Sequence, residues 1–171
     1  MSLALLMAIS ILQADAPAAG QPPAQPSDAS APAGASPTED VPSDVPTDPY
    51  GFVSWCYGAT DEYLAIYTKV LPDLKDIDKT IGSPVQEDVP YAKDVALEHK
   101  ALDRFGAAME AAQKADPSIA AQGQAAVAQG RAFWAGVESG PSRQLADAWL
   151  FWGIPVRCET TAKSLGEKHA G

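Results

Sequence analysis

Two histidines, two cysteines and 22 acidic side chains are the groups from which this 171-residue chain could build chemistry. His169 lies two residues from Gly171, which leaves His99 and its neighbour Glu98 as the pair to weigh. On a helix, Glu98 would stand seven residues after Tyr91 and four before Leu102, and His99 four after Val95 and three before Leu102. Both therefore border one apolar stripe. A carboxyl turned into a helical interior has its pKa raised by desolvation and can serve as an acid, a base or a ligand. At the edge of the stripe it reaches water or pairs with an arginine. Glu98 and His99 are the candidate buried polar site.

Standard metal and catalytic patterns are missing from the sequence. A di-iron bundle repeats Glu-x-x-His, yet Ala96 stands three before His99. A c-type haem needs Cys-x-x-Cys-His, yet Cys56 is followed by Tyr-Gly-Ala-Thr and Cys158 by Glu-Thr-Thr. There is no His-Glu-x-x-His, no Gly-x-Ser-x-Gly, no phosphate loop and no dinucleotide glycine pattern. No catalytic residue, metal or cofactor is expected, and binding is favoured over enzymatic turnover.

Cys56 and Cys158 lie at opposite ends of the folded body, without redox or metal-ligand spacing, and a structural disulfide is expected between them. Closing a loop of about a hundred residues stabilises a fold by at most roughly 4 to 5 kcal/mol. The most apolar run of the body is AWLFWGIP, residues 148–155. Trp149 and Trp152 share a helix face there and Phe151 lies opposite, so the segment is either central or leaves a patch exposed. Tyr50, Phe52, Trp55 and Tyr57 flank Cys56 and either cap the core over the disulfide or line a pocket. Trp149, Phe151, Trp152, Trp55 and Tyr57 are thus the candidate surface for a protein partner or a small apolar ligand.

The elements that must position these residues read as helices. Tyr63, Tyr67, Val70, Leu74, Ile77 and Ile81 step by three and four, with Thr60 placed as N-cap and Asp61 and Glu62 in the first turn. Pro72 lies about 200° round from Val70, facing solvent, and should bend this helix without ending it. A second helix is expected from near Asp88, with Pro90 in its first turn, to Lys114, carrying Tyr91, Val95, Leu102, Phe105, Met109 and Ala112 on one face. The third, over residues 118–137, repeats Gly123 and Gly130 at heptad distance. Each interior glycine costs about 1 kcal/mol against alanine, which suggests an unusually close neighbour. A fourth runs from beyond Pro141 through Val156, with Gly153 and Pro155 kinking or breaking it, and residues 159–168 form a polar final piece. The expected fold is all-α, an antiparallel up-down four-helix bundle preceded by a disordered, acidic Pro/Ala-rich segment. Its first and last helix ends meet at the cysteines.

Charge and composition divide the chain. The net charge is -10, and residues 1–49 hold six of the 22 acids and none of the 12 bases. Nucleic acid is a poor partner for such a surface. Leu3 to Leu12 is apolar but for Ser10, the length of a signal-peptide core and half of a membrane span, so residues 1–16 are expected to direct export to the periplasm or the medium of a bacterium. Ala14, Ala16 and Ala18 are competing cleavage positions, no basic residue precedes the apolar run, and retention as an anchor stays open. Residues 17–49 hold nine of the 15 prolines and read as a disordered linker, with a beat of Asp-Val-Pro near its end. Residues 50–171 form the domain. The reading is an exported, non-catalytic binding or envelope-associated module. The alternative is a small-molecule or metal binder, or an enzyme, using Glu98 and His99 inside the bundle.

Overall fold

The structure, a computed structural model, describes residues 41–82 and 91–169. The expected signal segment and linker up to residue 40 lie outside the described residues, as does the start of the second helix at Asp88 and Pro90. Every regular element among the described residues is helical. None of these helices is long and apolar enough to cross a membrane.

Helix α1 runs Pro49–Ile81, 33 residues, or about 50 Å. It starts eleven residues before the expected N-cap. Asp48 is the actual cap, its carboxylate accepting a hydrogen bond from the Gly51 backbone N–H at 2.8 Å, and Pro49 fills the first turn, where no amide partner is needed. Thr60 sits inside the helix and fully buried, and its hydroxyl is the one buried side-chain polar atom without a partner among the described residues. The early turns carry no helical period because Tyr50 to Thr60 are buried on almost every side, Tyr57 alone being half-exposed. Pro72 lies on the exposed side and the helix continues past it to Gly82, whose left-handed φ of 69° ends it.

Four further helices of ten residues or more follow: α2 Ala92–Ala115, α3 Ala120–Ala132, α5 Ser142–Phe151 and α6 Val156–His169. A one-turn α4, Ala135–Glu138, stands between α3 and α5. Five substantial helices thus replace the four expected. Asp116 accepts from the Ser118 amide and caps a 3-10 turn, Pro117–Ile119, before α3. The predicted third helix ends early, at Ala132. The fourth ends at Phe151, since Pro155 cannot supply a helical amide, and the chain restarts at Val156. Helix α1 is central, packing against α2, α3, α5 and α6, while α2 also packs on α6. The disulfide joins Cys56 to Cys158, with Cα atoms 5.9 Å apart, and pins α1 to the first turn of α6.

Two cores line α1. The first surrounds its N-terminal turns with Phe52, Val53, Trp55 and the disulfide, met by Ala101, Phe105, Ala108 and Ala112 of α2, Ala126 of α3, and Ala162 and Leu165 of α6. Here α1 and α3 touch backbone to backbone. A Cβ on Gly58 would stand 2.1 Å from the Val127 carbonyl oxygen, and one on Gly130 would stand 2.2 Å from that of Trp55. The heptad glycines of α3 therefore have the close neighbour that their cost implied. The second core gathers Tyr63, Ile66, Val70, Leu74 and Ile77 of α1 with Trp134, Leu145, Ala146 and Trp149.

Residues 41–48 correct the linker boundary. Val45 is buried and Val41 is packed against the first core, while Gln129 donates to the Asp44 carbonyl at 2.9 Å and Gln122 to the Asp48 carboxylate at 2.7 Å. The Asp-Val-Pro beat turns alternate valines inward and aspartates toward two glutamines of α3 one heptad apart. Proline content alone read as linker a segment that the core in fact holds.

Candidate functional site

Where α1, α2 and α5 meet, the second core opens into a cleft of about 250 Å³, lined by Tyr63, Tyr91, Asp94, Leu97, Glu98, Trp149, Leu150 and Trp152. Its floor is fixed by two indoles docked on successive turns of α1. Trp134 Nε1 donates to the Ala59 carbonyl at 2.9 Å and Trp149 Nε1 to the Tyr63 carbonyl at 3.0 Å. Each buried N–H is satisfied by a carbonyl oxygen whose second lone pair the helix leaves available. The Tyr63 ring lies between them. It stacks on Trp149 with centroids 4.7 Å apart and planes within 2°, meets Trp152 at 4.8 Å and Trp134 at 5.8 Å. Tyr67 extends the stack on Trp149 at 5.3 Å.

Tyr91 forms a second wall. Its backbone occupies the left-handed region, φ 62°, which a bulky residue enters at a cost of about 1 to 3 kcal/mol. Two contacts hold it there: its hydroxyl donates to Asp78 at 2.8 Å, and its ring stands edge-on to Trp149 at 5.7 Å. The same cause, burial first and the Asp78 bond second, pushes the Tyr91 phenol up to about 12.

From α2, Asp94 and Glu98 come to the cleft one helical turn apart. Burial pushes the Glu98 carboxyl up to about 7, with added repulsion from Glu159 and Asp94, and Arg104 only partly opposes this. Arg104 is engaged by Glu159, to which it donates. Burial also raises the Tyr63 phenol above its usual range, and the nearby Glu98 and Asp94 charges push the same way. Beyond Leu97 and Glu98 the surface continues into a second cleft of about 330 Å³, walled by Ala101, Ile154 and Val156. Leu97 and Val156 are exposed large apolar residues, 59% and 62% accessible.

The structure separates residues that the sequence grouped. Trp55 and Trp149 are core residues, 2% and 1% exposed, so neither is a surface anchor, although Trp149 presents part of itself to the cleft. Trp152 and Tyr57 are half-buried, and Phe151, off the stripe, is 70% exposed. His99 is exposed and lines neither cleft, since one residue along a helix turns it about 100° from Glu98. Of the candidate buried polar site, Glu98 is half-buried at the cleft and His99 is exposed outside it. Among the described residues no group of three or more His, Cys, Asp or Glu could hold a metal ion.

Sequence reasoning passed over Tyr63, Tyr91, Asp94 and Leu97 as site residues. The i, i+4 spacing of Asp94 and Glu98 was the available signal, because it places two carboxylates on one helix face. A separate groove of about 590 Å³ between α2 and α6 is lined by Ala107, Ala108, Ala111, Ala162 and Gly166, with the paired Arg104 and Glu159 at its border. It offers methyl groups and no unpaired buried charge. Comparison of the chain with protein-family models, with curated proteins and with solved structures finds no match.

Proposed function

We propose that this protein is an exported, non-catalytic binding module that takes its ligand in the aromatic cleft between α1, α2 and α5. One observation carries the reading: rings of Tyr63, Tyr91, Trp149 and Trp152 and the half-buried Glu98 carboxyl face a common open space. Apolar walls with a few convergent polar groups, one of them with a shifted pKa, are the general form of a small-molecule site. Export rests on the apolar segment of residues 3–12, and the disulfide is compatible with an oxidising compartment, the bacterial periplasm or the medium. On this reading residues 17–40 are a spacer between that address and the domain. The domain itself is an up-down bundle elaborated by a split final member.

A second reading, an acid–base enzyme, draws on the raised pKa of Glu98. Proton transfer needs a partner group in reach of the same substrate. His99 lies outside the cleft and Asp94, which shares it, is exposed, so binding is the better conclusion.

Native mass spectrometry of the full chain purified from its own host tests the proposal. A small-molecule mass kept in gentle spray, lost on denaturation and absent from Trp152→Ala is the expected result. A bare protein that also fails to bind any apolar probe at the cleft would sink it.

A further inference from the structure

The cleft has an unbalanced chemistry that names its ligand class. Tyr63 is 6% exposed and lines the cleft, yet its hydroxyl has no hydrogen-bond partner among the described residues. A phenol buried to this degree ordinarily finds a partner, and one left open toward a cavity is satisfied by what enters it. Around that hydroxyl stand Asp94 and Glu98, neither of which forms an ion pair among the described residues. Arg104, the cation whose charge acts on Glu98, is bound to Glu159. The site therefore presents carboxylate and phenol oxygens that the charge of Arg104 only partly offsets. The rest of its lining includes the rings of Tyr91, Trp149 and Trp152, and aromatic faces attract cations.

The groups acting on Glu98 come from each neighbouring element: Asp94 and Arg104 along α2, and Glu159 from α6. Tyr63 faces it from α1 and Tyr91 from the segment before α2, while α5 lends the cleft only Trp149 and Leu150. Without a cation, burial and carboxylate repulsion hold Glu98 partly protonated near neutral pH. A bound cation removes the reason for that protonation. The adjoining cleft shares Leu97 and Glu98 with the first and is lined by apolar Ala101, Ile154 and Val156 together with the paired Arg104 and Glu159.

Resting on the binding reading above, we propose that the cleft takes a primary ammonium group carried on a short aliphatic chain, the nitrogen held by Tyr63, Asp94 and Glu98. Three N–H donors meet three oxygen acceptors, and the ring faces of Tyr91 and Trp152 complete the enclosure. The chain lies along Leu97, Ile154 and Val156. Charge complementarity selects this occupant over a neutral apolar molecule, which would leave the half-buried Glu98 carboxylate desolvated and unpaired.

The test is an NMR titration of the oxidised full chain, following the indole N–H of Trp152, with n-hexylamine and with hexan-1-ol as its neutral counterpart. Hexylamine should bind at least about tenfold tighter than hexanol at pH 8, where aliphatic amines of pKa roughly 10 remain charged. Glu98→Gln should erase that preference, Tyr63→Phe should weaken it several-fold, and His99→Gln should leave it unchanged. The amine's affinity should rise between pH 5.5 and pH 8 in the parent and stay nearly flat in Glu98→Gln. Thermal melts of each variant separate lost binding from lost folding. Equal affinity for amine and alcohol would overturn the ammonium inference while sparing the cleft as a binding site. Saturation by neither probe would overturn both. Retention of the amine preference by Glu98→Gln would overturn the role given to the carboxylate and with it the proposal.

Discussion

Around the N-terminal turns of α1 the rings of Phe52, Trp55 and Phe105 are locked in by alanines, close glycine contacts and a covalent bond, whereas around the following turns rings stack on one another and hydrogen-bond to the backbone. In the first region Gly58 and Gly130 bring two helices into backbone contact, and alanines of α2, α3 and α6 fill what remains beside the disulfide. Between α1 and α3 there is no room for an added carbon. In the second, Tyr63, Trp134, Trp149 and Trp152 cover area with rings whose edges reach a cleft, and polar atoms stay at the margin. Close packing of α1 on α3 leaves no space between them, while the stacked rings border a concavity that also carries polar groups. On the proposed reading, stability and recognition fall to different turns of one helix.

The largest effect that would break this comparison is removal of the covalent tie. Replacing Cys56 and Cys158 together by alanine should cost about 3 to 5 kcal/mol in urea unfolding, since the bridge spans 102 residues. A loss below about 1 kcal/mol would mean that the small-residue contacts hold α1 and α6 unaided. Next comes Gly58→Ala, expected to destabilise by about 3 kcal/mol because the added carbon meets backbone rather than a movable side chain. The matched change Gly136→Ala, where a Cβ meets nothing within 4 Å, should lie within about 1 kcal/mol of the parent. Equal effects at the two glycines would refute the close approach of α1 and α3.

A smaller effect, of opposite sign, is expected in the aromatic region. Glu98 titrates near 7 in the folded chain against 4.5 for an ordinary carboxyl, so the native state holds this proton more tightly than the unfolded one. Stability from this group therefore falls as pH rises from about 4.5 to about 7 and is level above that. Glu98→Gln should remove that slope and gain about 1 kcal/mol at pH 8, the figure allowing for solvent screening at a half-open position. Melting curves at pH 5 and pH 8 read the difference directly. A slope unchanged by the substitution would assign it elsewhere. Smallest of all, Phe151→Ser should shift unfolding by less than about 0.5 kcal/mol, because a side chain 70% exposed contributes little burial. A collapse would place Phe151 in the core after all.

What the sequence revealed followed from periodicity and pairing. The helices carrying Val70, Leu74 and Ile77, and Phe105 and Ala112, were legible because one face of each is buried, and the cysteine pair was legible from its isolation. The glycine heptad of α3 was legible as a close contact, though not the helix it meets. The start of α1 was not, since Tyr50 to Thr60 are enclosed on nearly all sides and show no amphipathic beat. Val41 and Val45 were hidden by the prolines around them. At the site, Glu98 stood out by its position on the stripe, but its neighbours did not. Tyr63, Tyr91 and Trp152 are brought together by packing between three helices, which no local spacing encodes, and the left-handed backbone of Tyr91 leaves no mark on composition.

Pro72 gives the long helix a seam. It lacks the amide that would close on the Thr68 carbonyl, so the hydrogen-bonded ladder is interrupted one turn before Asp76 while the side-chain stripe of Val70, Leu74 and Ile77 runs on. The last turns, which include the Asp78 that anchors Tyr91, are thus joined to the turns fastened by the disulfide through one backbone hydrogen bond fewer and are expected to open ahead of them. Backbone amides after Pro72 should exchange their hydrogens ahead of those near Cys56, and a molecule lodged against Tyr91 should slow the first set and leave the second untouched. A single helix would then contain one segment that breathes with occupancy and another that keeps time independently of it.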